Sequence, residues 1–302
     1  MRKLIVVLMA AALIAGCVGQ SPTGAAGNGL TMTSFTSDTD SQTSGRSIRM
    51  FLELENSGES TVDANKSIIY LNGPIGTGLL QWQIEGNRYA TLERDLNPYD
   101  PLKDIPPGRA SVRWKVTAPQ MDPGQQKTDT FTARAYYDYE TKAIGQVTAY
   151  SEAESAAAKQ RGEPLEKAQF SATNGPLGVS VRAVPDPVTI TSGTETMTLE
   201  IVVENVGGGT LYKDGVISDT TTEPNLGYEN LNKVTMSVDA GGLTKAGTCD
   251  GVQELIGGKP TTLTCDVTVP MPATKTSYPI KVSLKYGYYT DLPLQLTAVG
   301  SK

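Results

Sequence analysis

Three cysteines, Cys17, Cys249 and Cys265, and no histidine occur in 302 residues. That combination limits the chemistry open to the chain. A serine or cysteine triad of the usual kind needs an imidazole as its base. Zinc sites use histidine or several cysteines, and haem ligation uses histidine, cysteine or methionine at a defined site. None of these can be assembled here in its common form. Carboxylates are plentiful, and "DLNPYDPLKD" (95–104) brings Asp95, Asn97, Asp100 and Asp104 onto one short stretch. Oxygen ligands at that spacing could hold calcium. The stretch lacks the order and the glycine of an EF-hand loop, so a solvated loop is the expectation. Asn65-Lys66-Ser67 forms an N-glycosylation sequon. No residues form a catalytic constellation and no cofactor is expected, so the chain reads as a non-enzyme.

Cys17 follows "MRKLIVVLMAAALIAG". Arg2 and Lys3 are a positive start, 4–14 is an uncharged run of 11 residues, and Ala15 and Gly16 are small. At ~1.5 Å per residue such a run cannot cross a hydrocarbon core of ~30 Å. Residues 1–16 therefore read as a signal peptide rather than a spanning helix. The order Ile14-Ala15-Gly16-Cys17 resembles the lipobox of bacterial and archaeal lipoproteins. The resemblance implies that Cys17 is lipidated, becomes the mature N-terminus, and holds the chain on the outer face of the cytoplasmic membrane or envelope. An ordinary secretory signal followed by a chance cysteine is the alternative. Residues 17–28 continue in uncharged Gly, Ser, Pro and Ala, the composition of a flexible tether.

Charge agrees with that location. Lys and Arg number 26 against 32 Asp and Glu, a net −6 that becomes −8 without Arg2 and Lys3. This argues against nucleic acid as a partner and against an electrostatic membrane patch. The lipid on Cys17 is then the membrane contact.

The remainder is a repeat. "IRMFLELENSG" (48–58) matches "MTLEIVVENVG" (197–207) at an offset of 149. Ile48, Met50, Leu52 and Leu54 fall on Met197, Leu199, Ile201 and Val203, alternating with the period of a half-buried strand. The same offset aligns 132–151 with 281–300, setting Tyr137 and Tyr139 on Tyr286 and Tyr288. Each of these stretches reads as two strands joined by a turn, a hairpin. Between the anchors the offset drifts to 151, where "VTAP" (116–119) meets "VTVP" (267–270).

The repeat divides the chain into 29–154 and 175–299, with 155–174 as a linker whose Ala, Lys and Glu content suits a short helix. Each copy holds several alternating strands separated by Gly, Pro, Asn and Asp turns. The fold class is all-β: two tandem immunoglobulin-like β-sandwiches after a signal peptide, lipobox and tether. In "ASVRWKVTA" (110–118) Trp114 points to the core, and at the offset of 151 Cys265 takes its slot. With Cys17 assigned to lipid, Cys249 and Cys265 remain in one half of an exported chain, and a disulfide between them is expected. Two free buried thiols are the alternative. In "YYDYE" (136–140) Tyr137 and Tyr139 are expected to serve the core and Tyr136 to form a cross-strand pair.

"LEIVVENVGGGTLY" (199–212), "GPLGVSV" (175–181) and "YYDYETKA" (136–143) resemble CARDB-type and related tandem Ig-like modules of prokaryotic, above all archaeal, surface lipoproteins. The resemblance covers 29–299. It implies an exported sandwich used in adhesion, binding a surface protein or a glycan, and brings no catalytic residues. A structural subunit of an envelope or filament assembly is the second reading, and a glycan-active enzyme with two carboxylates in a groove the third.

Overall fold

The computed structural model describes residues 29–301; the signal segment 1–16, Cys17 and the tether 17–28 lie outside them. The alternation of 48–54 does what the pattern demands. Ile48, Met50, Leu52 and Leu54 are buried, while Arg49 and Glu53 are exposed. This strand, Ser47–Asn56, belongs to a four-stranded antiparallel sheet in the order Leu30–Ser37, Ser47–Asn56, Arg109–Thr117, Gln83–Glu85. The second half repeats it as Leu177–Val184, Thr194–Asn205, Thr261–Pro270, Thr244–Ala246. Met50 pairs with Trp114 and Leu199 with Cys265, so Cys265 does stand in the slot of Trp114.

Among the described residues these two sheets share a third sheet of ten strands. A continuous apolar core joins the layers, with Met50, Trp114, Leu199 and Val267 from the small sheets meeting Ala133, Tyr137, Val282 and Tyr286 from the large one. The fold is all-β with two sandwich-like layers.

Two long antiparallel strands, Gln126–Ser151 and Lys275–Val299, form the middle of the large sheet, paired from Tyr150↔Lys275 to Gln126↔Val299. The hairpins expected in 132–151 and 281–300 are thus not formed; each stretch lies in one unbroken strand. The residues that resemble turn formers have other roles. A Cβ on Gly145 would collide with the Phe170 ring, so glycine there permits close packing. Pro279 and Pro293 stand where only one edge of their strand is paired: on the other edge Lys233–Asp239, Thr210–Tyr212 and Ser41–Thr43 reach 281–285, 287–289 and 297–299.

The halves also exchange strands. Ser41–Thr43 of the first half runs parallel to the second long strand, and Val188–Ile190 of the second half runs parallel to the first. The expected short helix spans Glu152–Arg161. Ser151 Oγ accepts the Glu154 N–H at 3.3 Å to start it, and Gly162, left-handed at φ 73°, ends it. The rest of 155–174 is more than a spacer, because Gln169–Ala172 adds to the first long strand at 143–146.

Repeat register and strand register meet at one point. Asp138 pairs with Gly287, and the two are also equivalent at the offset of 149. A local two-fold axis therefore passes between them. On the inner face beside it, Tyr137 packs on Tyr288 and Tyr139 on Tyr286, with ring centroids 6.0 and 6.1 Å apart. The hydroxyls repeat too: Ser60 N–H donates to Tyr139 at 3.0 Å, and Gly209 N–H donates to Tyr288 at 2.7 Å.

Candidate binding groove and the outer face of the shared sheet

One strand edge is left open in the first half. Arg109–Thr117 is paired along its length to Ser47–Asn56 on one side. On the other side Gln83–Glu85 covers only Lys115, Val116 and Thr117. Beyond Glu85 the chain crosses to the large sheet, where Tyr89–Ala90 joins Ser67–Asn72. Asn56 N–H donates to Gly108 O at 3.0 Å. In an antiparallel ladder bonded pairs alternate, so the even residues 110, 112 and 114 face Ser47–Asn56. The amides and carbonyls of Arg109, Ser111 and Arg113 face the open side. A groove of about 570 Å³ lies there, walled by 109–113 and by 90–94.

Three arginines line it against one carboxylate, Glu93. Arg109 Nε donates to Glu55 at 2.7 Å. Arg113 lies over the Phe51 ring at 5.7 Å. Among the described residues neither Arg113 nor Arg94 has an ion-pair partner. The groove is therefore electropositive in a chain of net negative charge, and it suits an anionic, extended ligand.

A second polar cluster lies on the outer face of the shared sheet. Arg134 donates twice to Asp291, at 2.6 and 2.7 Å, and stacks over Tyr289 at 4.4 Å. Tyr136 pairs with Tyr289, ring centroids 5.3 Å apart, and donates to Glu223 at 2.9 Å. Burial pushes the Tyr136 hydroxyl above its ordinary range. The 213–231 segment covers this face, with Ile217 and Tyr212 buried against Ile68 and Tyr136. Beneath it Asp138 accepts the Gly215 N–H at 3.1 Å through Oδ2, while Oδ1 has no hydrogen-bond partner. Burial pushes the Asp138 carboxyl up to about 6, opposed by the Gly215 amide and Lys66. With its loop closed over it, this cluster acts as a clasp between the halves.

The residues singled out in the sequence are placed as follows. Cys249 and Cys265 form a disulfide. Cys17 lies outside the described residues. Asn65 is exposed in a single 3-10 turn, whereas Ser67 of the same sequon is buried and donates to Asp63 O at 2.7 Å. The acidic loop does not converge. Asp95 accepts from Ala64 N, Asn97 from Thr61, Asp100 from Leu102 N, and Asp104 from Tyr99. Among the described residues no group of three metal-ligating side chains occurs. Tyr137 and Tyr139 are core residues and Tyr136 is the cross-strand partner of Tyr289. The arginines of the groove were not legible as a site. Arg113 is one of the polar residues that alternate with the core positions of 110–118, and nothing local marks how short the neighbouring strand is.

No known protein family matches the chain, and no curated protein does. Among solved structures, the secreted serine protease VesC from Vibrio cholerae is similar at 8% identity and a TM-score of 0.19, over 87% of this chain and 50% of that one. The chain thus spans half the length of that protease. The collagen adhesin CNA from S. aureus is similar at 8% identity and a TM-score of 0.14, over 88% of this chain and 92% of that one. At these scores neither similarity carries an argument.

Proposed function

We propose that this chain is an exported, lipid-anchored, non-catalytic surface protein that binds a partner through the groove beside Arg109–Thr117. Each half is read as an immunoglobulin-like sandwich. The small sheet follows the order of the A, B, E and D strands of that fold, and the neighbouring half's long strand takes the place of a last strand. Export is supported by the Cys249–Cys265 disulfide, a bond that persists in oxidising compartments. It is supported also by the signal and lipobox pattern ending at Cys17. Binding is carried by one observation: an open strand edge flanked by Arg94 and Arg113, which have no acidic partner among the described residues, on a two-layer scaffold. The Ig-like, CARDB-type surface lipoproteins that the sequence resembles give the same reading.

Two measurements test it. Mass spectrometry of the native protein should find lipid on Cys17; an unmodified N-terminus cut further along the chain defeats the anchoring claim. Capture from intact envelopes should recover a partner with the native chain and lose it with Arg94→Glu/Arg113→Glu. Equal recovery with both proteins removes the groove from the function.

A further inference from the structure

The duplicated halves treat the same strand edge in opposite ways. In the second half the counterpart of Arg109–Thr117 is Thr261–Pro270, with Thr244–Ala246 on 266–268 as Gln83–Glu85 lies on 115–117. There the chain past Ala246 stays on the edge. Thr248 Oγ1 donates to the Thr264 carbonyl at 3.1 Å, and Cys249 is bonded to Cys265. Thr264 is the counterpart of Arg113. In the first half no cysteine or threonine closes that place; the chain leaves at Glu85, and the edge carries Arg109, Ser111 and Arg113 instead. An uncovered edge invites strand addition and natural proteins normally blunt it. The second half closes its edge as far as Thr264; the first leaves the equivalent position, Arg113, open in a groove.

We infer that the groove takes an extended acidic segment of another protein, added as a strand along Arg109, Ser111 and Arg113. This rests on the binding role proposed above and names the chemistry of its ligand. Three alternate residues present N–H and C=O to the groove, enough for about five residues of ligand at ~3.3 Å each. Arg109 and Arg113 stand four residues apart on one face, about 13 Å. Arg113 is free to meet a carboxylate on the added strand, and Arg94 reaches in from the opposite wall. Charge selects an acidic ligand over the chain's own tether, since "VGQSPTGAAGNG" (18–29) has no charge. A polyanion without amides would use the arginines but leave the ladder groups of Arg109, Ser111 and Arg113 unpaired.

The probe is an acetylated eight-residue peptide of alternating valine and glutamate, titrated by fluorescence anisotropy against the full chain. It is expected to bind, and to lose at least tenfold in affinity when alternate amides are N-methylated or when glutamine replaces glutamate. Arg113→Glu should cost a similar factor. Ser111→Pro deletes one groove-facing N–H and leaves the ladder to Ser47–Asn56 intact; it should cost at least fivefold at an unchanged melting temperature. Equal binding of the N-methylated peptide overturns strand addition. No binding at millimolar peptide overturns it as well. Concentration-dependent dimers abolished by Arg113→Glu would assign the groove to a second copy and overturn it too. If envelope capture still depends on Arg94 and Arg113 while the peptide fails, the binding role stands and the strand mode falls.

Discussion

Asp138 and Gly287, the same position in the two copies of the repeat, face each other across the central strand pair. Their difference breaks the symmetry of the shared sheet. The Tyr212 ring lies on the bare backbone of Gly287, and its hydroxyl reaches the Tyr137 carbonyl at 3.4 Å. A side chain at 287 would occupy the ring's place. The Tyr212 ring therefore takes the space on the second copy that the side chain of Asp138 takes on the first.

Gly287→Ala should destabilise the protein by about 1–3 kcal/mol, the usual cost of overpacking a filled core. Urea unfolding followed by tyrosine and tryptophan fluorescence measures it. The cost should nearly vanish in a Tyr212→Ala background, because the ring is what the new methyl group meets. Additive effects in the double variant would refute the contact as the cause.

Asp138 gives the stability a pH dependence of unusual sign for an acid. Its carboxyl is raised to about 6 by burial, against about 3.9 in an unfolded chain. The folded state binds the proton more tightly, so this contribution is complete below about pH 4. It is lost as pH rises from about 4 to about 6 and stays lost above that. Two pKa units correspond to roughly 3 kcal/mol. The groups facing Asp138 are the Gly215 amide, Lys66, Asp214 and Asp63. Asp138→Asn should raise stability at pH 7 by about 1–3 kcal/mol and flatten the curve between pH 4 and 6. A variant no more stable than the parent at pH 7, with the same slope, would exclude this group as the source.

The alternating strands and the offset between the two copies were legible because alternation is a local signal. The offsets of 149 and 151 carry Met50 to Leu199 and Trp114 to Cys265, so the pairing seen in one half recurs in the other. The disulfide was legible from the cysteine count together with the expectation of export. The long strands were not, because Gly145, Pro279 and Pro293 carry the same letters as turns. What makes them strand residues is the ring of Phe170 and the absence of a second neighbour. The shared sheet was also out of reach. Nothing in the Tyr137 and Tyr139 pattern tells whether those rings face their own half or the equivalent rings of the other. The groove depends on a strand of three residues stopping at Glu85, a property of the route of the chain rather than of composition.

Reducing or deleting the Cys249–Cys265 bond should cost about 3 kcal/mol in the chain-entropy model for a loop of this size, the two cysteines being 16 residues apart. The consequence should be local as well. Thr248 would lose its hold on Thr264, and the edge of Thr261–Pro270 would open at that position. Hydrogen exchange under reducing conditions should accelerate in 261–265 and leave 109–113 unchanged. A uniform acceleration through both halves would mean that the bond acts only on the unfolded chain.

The shared sheet makes a prediction about the halves themselves. Cleavage in the exposed stretch 162–164 should leave two fragments that elute together, since the pairing from Tyr150↔Lys275 to Gln126↔Val299 and both exchanged strands join residues that lie on opposite sides of that point. Produced alone, each half would expose a long unpaired strand edge and should not remain monomeric. The two should differ. A symmetric pair of second halves sets Gly287 against Gly287, whereas a pair of first halves sets two Asp138 carboxylates against each other, a like-charge contact that disfavours association. Sedimentation at pH 7 should therefore show the second half as the tighter homodimer, and Asp138→Asn should tighten the first. Halves that stay folded and monomeric at high micromolar concentration would mean that the long strands are not what joins them.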